Sequence, residues 1–269
     1  MPELNWRISP LSSIGSGRRP GRLAGRVVVV TGAGQGLGRA FALSLHAEDA
    51  RVVIADLNRD RAESVCAELG TERALAVEVD VSAADSVQHL REVVLATFGT
   101  VDVLVNNAAI FSTLTMRPFD EIPVAEWDQV MAVNVRGAFL CAQQFAPVMR
   151  SGGYGKIINI SSATVFLGRP LYLHYVTSKA AIIGMTRALA SELGPFGITV
   201  NAIAPGATET EVPRATVTPV QAEQIISRQA IKRREVPSDL VGALIFLAGP
   251  ESDFITGQTL NVDGGSAFH

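Results

Sequence analysis

Short apolar runs alternate with helical stretches along most of the chain. The run RVVVVTG at residues 26–32 is rich in β-branched residues, which is typical of a strand buried on both faces of a sheet. Similar runs recur at 50–56, 73–81, 101–109, 155–163, 197–205 and 255–265. Helical patterns separate them, at about 39–49, 58–69, 83–98, 126–150, 175–193 and 237–249. This alternation predicts an α/β fold, a doubly wound parallel sheet of about seven strands with helices on both faces.

The 269 residues, 48% of them hydrophobic, suffice for a single domain with a substantial core. Residues 1–24 differ from the rest, because they are rich in Pro, Gly, Ser and Arg. We expect a flexible N-terminal arm at 1–24 and one folded domain at 25–269. Residues 207–233 are Thr-rich and leave the carboxyl end of a predicted strand, which favours a substrate lid.

A glycine-rich loop, TGAGQGLG at 31–38, joins the first strand to the first helix. Gly32, Gly34, Gly36 and Gly38 permit positive φ angles and let a phosphate approach the backbone where the helix begins. The spacing differs from G-x-G-x-x-G, because residue 37 is Leu. The position of the loop between a strand and a helix nevertheless indicates a nucleotide site.

Two aspartates end the second and third predicted strands. Asp56 can accept hydrogen bonds from both hydroxyls of an adenosine ribose and would repel a 2′-phosphate, which favours NAD over NADP. Asp80 is placed to accept from an adenine amino group. For both residues, the alternative is a role as N-cap of the helix that follows.

Asparagines mark two further places. Asn106 and Asn107 follow the fourth strand, where they either cap the sheet or line a ligand crevice. Asn134 lies among apolar residues inside the helical pattern at 126–150. With Gly137 close by, it predicts a kink with freed backbone groups and a bound water; the alternative is an asparagine bonded to neighbouring backbone.

The segment 155–193 carries the candidate chemistry. Ser162 lies where a strand ends, and Tyr175 and Lys179 lie four residues apart at the start of the next helix. Residues at this spacing project from one helical face, so the ammonium can lower the pKa of the phenol from its ordinary value of about 10. With Ser162 orienting a substrate oxygen, this group can move a proton to and from an alcohol. The alternative is an exposed Tyr–Lys contact.

The composition argues against several classes of binding partner. The net charge of −3 argues against a nucleic-acid partner, which would need a clustered basic face. No apolar run reaches the roughly 18 residues of a membrane span, and the arm lacks the apolar core of a secretory signal. The two cysteines are predicted to be buried free thiols. We therefore expect a cytoplasmic protein that uses no metal and binds neither nucleic acid nor membrane.

Together these motifs resemble those of the short-chain dehydrogenase/reductase family, from about residue 24 to residue 265. The resemblance is carried by TGAGQGLG (31–38), Asp80–Val81, NNAA (106–109), Asn134, Ser162, Tyr175-x-x-x-Lys179, Pro205–Gly206 and TGQTLNVDGG (256–265). It implies a single-domain Rossmann-type fold, NAD as cofactor and a small alcohol or carbonyl substrate. It also implies a homotetramer or homodimer, formed through the long helices at 126–150 and 175–193.

The resemblance also implies roles for individual residues. Tyr175 would exchange the substrate proton, Lys179 would lower the pKa of Tyr175 and bind the nicotinamide ribose, Ser162 would hold the substrate oxygen, and Asn134 would position a water. The implied cofactor contacts are Gly32, Gln35, Gly36, Leu37, Gly38, Asp56, Asp80, Val81, Asn107, Ala108, Ala109, Tyr175, Lys179, Pro205, Gly206, Thr208 and Thr210. The expected substrate contacts are Ser162, Thr164, Phe166, Tyr172, Tyr175 and Phe111. His174 is a further candidate, with a packed histidine as the alternative.

The chain departs from the family pattern in two places. Ala109 stands where the motif NNAG has Gly, and Thr208 stands where many relatives have Ile or Val. Thr210 is the threonine of PGxxxT, so either Thr208 or Thr210 can contact the nicotinamide carboxamide.

The function expected from the sequence is an oxidoreductase that transfers a hydride between NAD and a secondary alcohol or ketone. One alternative is an NADPH-dependent carbonyl reductase, such as a 3-oxoacyl-carrier reductase, which Asp56 opposes. Another is a relative that binds NAD without catalysis, which the complete set of catalytic residues opposes.

Overall fold

Seven parallel strands form a single sheet in the computed structural model, which describes residues 20–213 and 219–268. The strands are β1 (Val27–Thr31), β2 (Arg51–Asp56), β3 (Ala74–Glu78), β4 (Val103–Asn106), β5 (Gly155–Ile160), β6 (Ile198–Pro205) and β7 (Thr259–Val262). Their order in the sheet is β3-β2-β1-β4-β5-β6-β7. The order reverses between β1 and β4, which is where doubly wound sheets bind ligands. The predicted fold class is confirmed.

Helices cover both faces of the sheet. They are α1 (Gly36–Ala47), α2 (Arg59–Leu69), α3 (Ala84–Phe98), α4 (Val124–Met131), α5 (Gly137–Gly152), α6 (Thr164–Leu167), α7 (Leu173–Leu193), α8 (Pro219–Arg228) and α9 (Pro237–Ala248). Side chains of α1, α2 and α9 form one hydrophobic cluster with the sheet, and side chains of α3, α5 and α7 form the other.

Successive side chains of β1 belong to different hydrophobic clusters, one on each face of the sheet. Val28 and Val30 belong to the cluster beneath α1 and α9, while Val27 and Val29 belong to the cluster beneath α3 and α5. Successive side chains of a strand point to opposite faces, so a central strand needs apolar residues at every position. This explains why RVVVVTG is apolar throughout.

The predicted helix at 126–150 is interrupted. A π-helical turn at Ala132–Arg136 separates α4 from α5, and Asn134 lies within it, 2% exposed. A π turn leaves the i→i−4 hydrogen-bond ladder and commonly occurs at functional sites. At the position where a kink was predicted, the structure therefore has a π-helical turn between two α-helices.

The predicted arm and lid are only partly described. Residues 1–19 and 214–218 lie outside the described ranges. The end of the predicted arm is anchored, because the Gly21 amide donates to Asp49 Oδ2 at 2.7 Å and Leu23 is buried in the core. The folded part of the chain therefore includes residues before position 24. The predicted lid contains α8.

Both cysteines, Cys66 and Cys141, are buried free thiols, as predicted. Burial raises the pKa of the Cys141 thiol to about 12. Within the described ranges, none of the helices combines the length and apolar character that crossing a bilayer requires.

Candidate active site

A cleft of about 930 Å³ lies at the carboxyl ends of the strands. It passes over the point between β1 and β4 where the strand order reverses. The residues predicted to bind the cofactor all line it: Gly32, Gln35, Gly36, Leu37, Gly38, Asp56, Asp80, Val81, Asn107, Ala108, Ala109, Tyr175, Lys179, Pro205, Gly206, Thr208 and Thr210. The fold thus brings into one cleft residues that are up to 178 positions apart in the sequence, from Gly32 to Thr210.

The glycine loop forms a cradle at the start of α1. Gly32 has φ +64°, and a Cβ there would lie 2.9 Å from Ala108 Cα. A Cβ on Gly38 would overlap the Gly32 carbonyl oxygen. Side chains are therefore excluded from these positions, and backbone N–H groups at the helix N-terminus can meet a ligand phosphate. The loop fits the pyrophosphate of a dinucleotide.

Asn107 holds this loop in place. Its side-chain nitrogen donates to the carbonyl oxygens of Thr31 at 2.9 Å and Gly32 at 3.1 Å. The loop after β4 is thereby tied to the loop after β1. The paired asparagines were predicted either to cap the sheet or to line a ligand crevice. The Asn107 side chain does both, since it bonds to backbone at the strand ends and also lines the cleft.

Asp56 ends β2 and is not the N-cap of α2. That position belongs to Asn58, whose side chain accepts from the Arg61 amide at 2.9 Å. The Asp56 carboxylate instead accepts from the amides of Gly34 at 2.8 Å and Asn58 at 2.9 Å, one on each oxygen. Each oxygen keeps further acceptor capacity for a ribose hydroxyl. The N-cap alternative for Asp56 is wrong.

Asp80 is also not an N-cap, because α3 begins at Ala84 with Ala83 as its N-cap. One Asp80 oxygen accepts from both the amide and the hydroxyl of Ser82, at 2.9 and 2.7 Å. This is an Asx-turn, which fixes the side chain at the rim of the cleft.

Two charged residues that the sequence did not single out lie near the dinucleotide end of the cleft. Arg61 lines the cleft beside Asp56 and packs close to Gly34. Glu211, from the predicted lid, accepts a hydrogen bond from the Gly36 amide at 2.7 Å. The Gly36 amide is the first of α1, so a carboxylate occupies the place where a helix N-terminus would receive a phosphate. Arg61 lies five residues after Asp56, in the first turn of α2, a proximity in sequence that could have indicated it.

Tyr175 and Lys179 project from the first turns of α7, and both are buried. The Lys179 ammonium donates to the carbonyl oxygen of Ile160 at 2.8 Å and lies 5.7 Å from the centre of the Tyr175 ring. Burial lowers the pKa of Lys179 to about 8. The side chain is therefore charged near neutral pH and loses its charge as the pH rises through about 8. The alternative prediction, an exposed contact between Tyr175 and Lys179, is therefore wrong.

Ser162 lies one residue beyond Ser161, after the end of β5. Its oxygen accepts from the Thr164 hydroxyl at 2.9 Å and from the Thr164 amide at 3.3 Å. A serine hydroxyl has one proton and two acceptor positions, so these bonds leave the Ser162 proton for donation into the cleft. The neighbouring Ser161 has a different task, since its hydroxyl donates to the Lys179 carbonyl oxygen at 2.8 Å.

The predicted substrate contacts divide into two groups. Ser162, Thr164, Tyr175 and Phe111 line the cleft, and the rings of Phe111 and Tyr175 lie 4.8 Å apart. Phe166 and Tyr172 are not among the cleft-lining residues of the described chain. In the short helix α6, Thr164 and Leu167 line the cleft and are three residues apart, so they share one helical face that Phe166 does not share. Tyr172 is 2% exposed and packs edge-on against the Tyr175 ring.

Asn134 is bonded to backbone that is distant in sequence. Its oxygen accepts from the Ile110 amide at 2.7 Å, and its nitrogen donates to the Ile110 carbonyl at 3.2 Å and to the Ser178 hydroxyl at 3.0 Å. Asn134 and Lys179 border a separate cavity of about 10 Å³. A cavity of this size, with polar walls, is about large enough for one water molecule.

His174 was predicted to be either a substrate contact or a packed histidine, and the structure shows a packed histidine. It is fully buried, and its Nε2 lies 3.1 Å from Glu126 Oε1. Glu126 also pairs with Arg117 and lines the cleft. His174 therefore positions Glu126 and does not itself line the cleft.

The two threonines of the 205–210 segment have different partners. The Thr210 hydroxyl accepts from the Val212 amide at 3.3 Å. The Thr208 hydroxyl is bonded to the carboxyl of Glu235, which also accepts from the Gly206 amide at 3.1 Å. Burial raises the pKa of Glu235 to about 7. Nothing in the sequence around Glu235 indicates that it reaches this site.

Comparison with known proteins agrees with this geometry. A family model described as enoyl-(acyl carrier protein) reductase matches residues 32–267. Sorbitol dehydrogenase of Cereibacter sphaeroides is 39% identical over 260 residues, which cover 91% of this chain and 98% of that protein. The 3-oxoacyl-[acyl-carrier-protein] reductase of Staphylococcus epidermidis is 37% identical over 241 residues, covering 88% of this chain and 97% of that protein.

A solved structure shows the same relationship. The crystal structure of 3-ketoacyl-(acyl-carrier-protein) reductase from Brucella melitensis complexed with NADH aligns with a TM-score of 0.86 at 34% identity, covering 91% of this chain and 99% of that one. Both the family model and these relatives span nearly all of the folded domain. The chain belongs to the short-chain dehydrogenase/reductase family of oxidoreductases, whose members use a nicotinamide cofactor.

Proposed function

We propose that this protein is an NAD-dependent oxidoreductase that interconverts a secondary alcohol and its ketone, or a similar alcohol–carbonyl pair. The observation that carries the proposal is the buried Tyr175–Lys179 pair, which lies beside Ser162 in a cleft that fits a dinucleotide. These groups supply a proton acceptor, a cation and a hydrogen-bond donor at one place.

Each residue has a distinct task in this chemistry. Bound nicotinamide supplies the redox step, by accepting or releasing a hydride. The Tyr175 phenolate takes the hydroxyl proton during oxidation, and the phenol returns it during reduction. Lys179 favours the phenolate by its charge, and Ser162 donates to the substrate oxygen in both directions. Asn134 and the small cavity next to Lys179 provide a place for a water that exchanges protons with the ammonium.

The preference for NAD follows from Asp56. Its carboxylate is fixed by two backbone amides at the end of β2, where the adenosine ribose of a dinucleotide is bound in this fold. A 2′-phosphate would meet this negative charge at close range. The Brucella melitensis relative is complexed with NADH, which supports the same choice.

A second candidate is an NADPH-dependent carbonyl reductase acting on a 3-oxoacyl carrier substrate. Two observations favour it: the relatives named 3-oxoacyl-[acyl-carrier-protein] reductase, and Arg61, which adds a positive charge beside Asp56. We place it second because the amides of Gly34 and Asn58 fix the Asp56 carboxylate at the end of β2. A non-catalytic relative is the third candidate, and the four residues Ser162, Tyr175, Lys179 and Asn134 argue against it.

We also infer a homodimer or homotetramer in the cytoplasm, with residues 207–233 as a substrate lid. Phe139 on α5 is 48% exposed, which suits a helix that packs against a second copy. Buried thiols without disulfides suit a reducing compartment. Within the lid segment, Val212 and Ile225 line the cleft, so its movement would change access to the site.

Replacement of Tyr175 by Phe should lower kcat/KM for alcohol oxidation by roughly a thousandfold or more, because the phenolate is lost. NADH binding, followed by fluorescence, should remain within about twofold of wild type. Tyr154→Phe is the matched control, since Tyr154 packs against Arg26 away from the cleft. Loss of NADH binding together with activity would contradict the catalytic role and indicate a structural one.

Replacement of Asp56 by Ala should improve the ratio of NADPH to NADH affinity by about tenfold or more, because the repulsion of the 2′-phosphate disappears while Arg61 remains. Fluorescence titrations with both cofactors give this ratio. Asp60→Asn, an exposed acid in the first turn of α2, controls for the general loss of negative charge. An unchanged ratio in Asp56→Ala would exclude contact with the ribose.

Replacement of Glu211 by Gln should tighten NADH binding by about threefold to tenfold, because the pyrophosphate no longer competes with a carboxylate for the Gly36 amide. The control is Glu209→Gln, since Glu209 pairs with Arg234 outside the cleft. Weaker NADH binding in Glu211→Gln would show that Glu211 assists the cofactor instead of competing with it.

A further inference from the structure

Arg169 is a cation of the cleft that has no task in the catalytic steps of the proposed function. It lies in the connection between α6 and α7, is partly buried, and lines the cleft together with Thr164 and Leu167 of α6. Its backbone amide donates to the Thr164 carbonyl oxygen at 3.3 Å, and the Thr164 hydroxyl donates to Ser162. Arg169 is therefore anchored close to the group that would hold the substrate oxygen.

The Arg169 guanidinium lies over an aromatic ring that belongs to the core. Its Cζ is 5.4 Å from the centre of the Tyr172 ring, within the range of a cation–π contact. Tyr172 is buried, and the centre of its ring is 6.1 Å from the centre of the Tyr175 ring. The two distances together hold the positive charge within about 12 Å of the Tyr175 ring.

No carboxylate within residues 20–213 and 219–268 neutralises this charge, since Arg169 forms no ion pair there. Three acids line the cleft in this part of the chain. Glu126 is paired with Arg117 at 3.3 Å, while Asp56 and Asp80 follow β2 and β3 at the other end of the sheet. The Arg169 guanidinium thus has its donors available for an anion.

Arg169 is also separate from the loop that fits the cofactor phosphates. That loop follows β1, whereas α6 and α7 follow β5, and β4 lies between these two strands in the sheet. Next to Tyr172, the cleft is lined by the apolar side chains of Phe111 and Leu114. An anion that meets Arg169 would therefore belong to the substrate, with an apolar body packed against these side chains.

We propose that Arg169 is a specificity-determining residue that binds a carboxylate of the substrate, so that the protein interconverts compact hydroxy acids and oxo acids. This inference rests on the proposed function and names its substrate class. The planar guanidinium matches the two oxygens of a carboxylate. Because the charge lies within about 12 Å of the Tyr175 ring, only a few carbon atoms can separate the carboxylate from the reacting carbon.

The carboxylate takes no part in the bond changes. During reduction, the carbonyl carbon of the oxo acid receives a hydride from NADH and its oxygen receives a proton from Tyr175, which gives the hydroxy acid and NAD. Arg169 would hold the far end of the substrate and so place the carbonyl between Ser162 and Tyr175.

The test compares oxo acids with their methyl esters, which lack the negative charge. The probes are 3-oxobutanoate, 4-oxopentanoate and 5-oxohexanoate, each with its ester, and kcat/KM for reduction is followed through the absorbance of NADH. For at least one chain length, wild type should prefer the acid by about tenfold or more. Arg169→Gln should bring this ratio to within about twofold of one, because only the acid loses a partner. Its kcat/KM for the ester and its affinity for NADH should stay within about twofold of wild type.

Arg150→Gln is the matched control, since Arg150 also lies over an aromatic ring, that of Phe196 at 4.3 Å, but does not line the cleft. It should keep the wild-type preference for the acid. Arg169→Lys keeps the charge without the planar fork, so it should retain a preference of about threefold or more.

A wild-type ratio in Arg169→Gln would overturn the inference. Weaker NADH binding in Arg169→Gln would also overturn it, because the arginine would then bind the cofactor. Equal rates for acids and esters in wild type would overturn it as well, while leaving the proposed function intact. Wild type that reduces neither series would overturn it too, and the proposed function would fail with it only if the protein also bound no NADH.

Discussion

The hydrogen bond from the Lys179 ammonium to the Ile160 carbonyl oxygen is the contact on which the rest of the site depends. A buried charge is costly unless it is hydrogen-bonded, and here the end of a central strand supplies the acceptor. Ser161 strengthens the same junction by donating to the Lys179 backbone. The helix α7 is therefore locked to β5 at the point where Ser162 follows. The relative positions of Ser162, Tyr175 and Lys179 are a consequence of that junction.

The remainder of the cleft is organised by backbone amides and the carboxylates that accept from them. Asp56 accepts from Gly34, Glu211 from Gly36, and Glu235 from Gly206. At each of these places an acidic side chain meets a glycine of a cofactor-binding loop. Two of these acids have different expected effects on a dinucleotide, because Asp56 would select the ribose and Glu211 would compete with the phosphates.

The sequence was sufficient to predict the sheet and to predict which candidate residues meet in one cleft. Apolar runs reveal buried parallel strands, and the residues after such strands necessarily meet at one edge of the sheet, as Asp56, Asn107 and Ser162 do. The contacts that the sequence did not reveal are made between elements that are distant in sequence and packed together in the fold. Glu235 reaches Gly206 only because the start of α9 packs beside the end of β6, and Glu211 reaches Gly36 across the cleft.

Local side-chain direction is the other feature that the sequence does not determine. Phe166 and Tyr172 were expected to contact substrate, but neither is among the residues that line the cleft in the described chain, and Tyr172 packs against Tyr175. Asp56 and Asp80 allowed an N-cap role, and the observed caps are Asn58 and Ala83. Side-chain direction within short turns is decided by packing, which a single sequence does not contain.

The effect of Lys179 on Tyr175 can be measured through the pH dependence of kcat/KM for alcohol oxidation with NAD, in wild type and in Lys179→Met. If the Lys179 charge favours the Tyr175 phenolate, wild-type kcat/KM should rise with a midpoint below about 8, where Lys179 still carries its charge. This midpoint would lie well below about 10, the ordinary phenol pKa. Removal of the charge should move that midpoint upward by about one unit or more. A midpoint that stays in place, even with a lower plateau, would show that the buried lysine does not control the protonation of Tyr175.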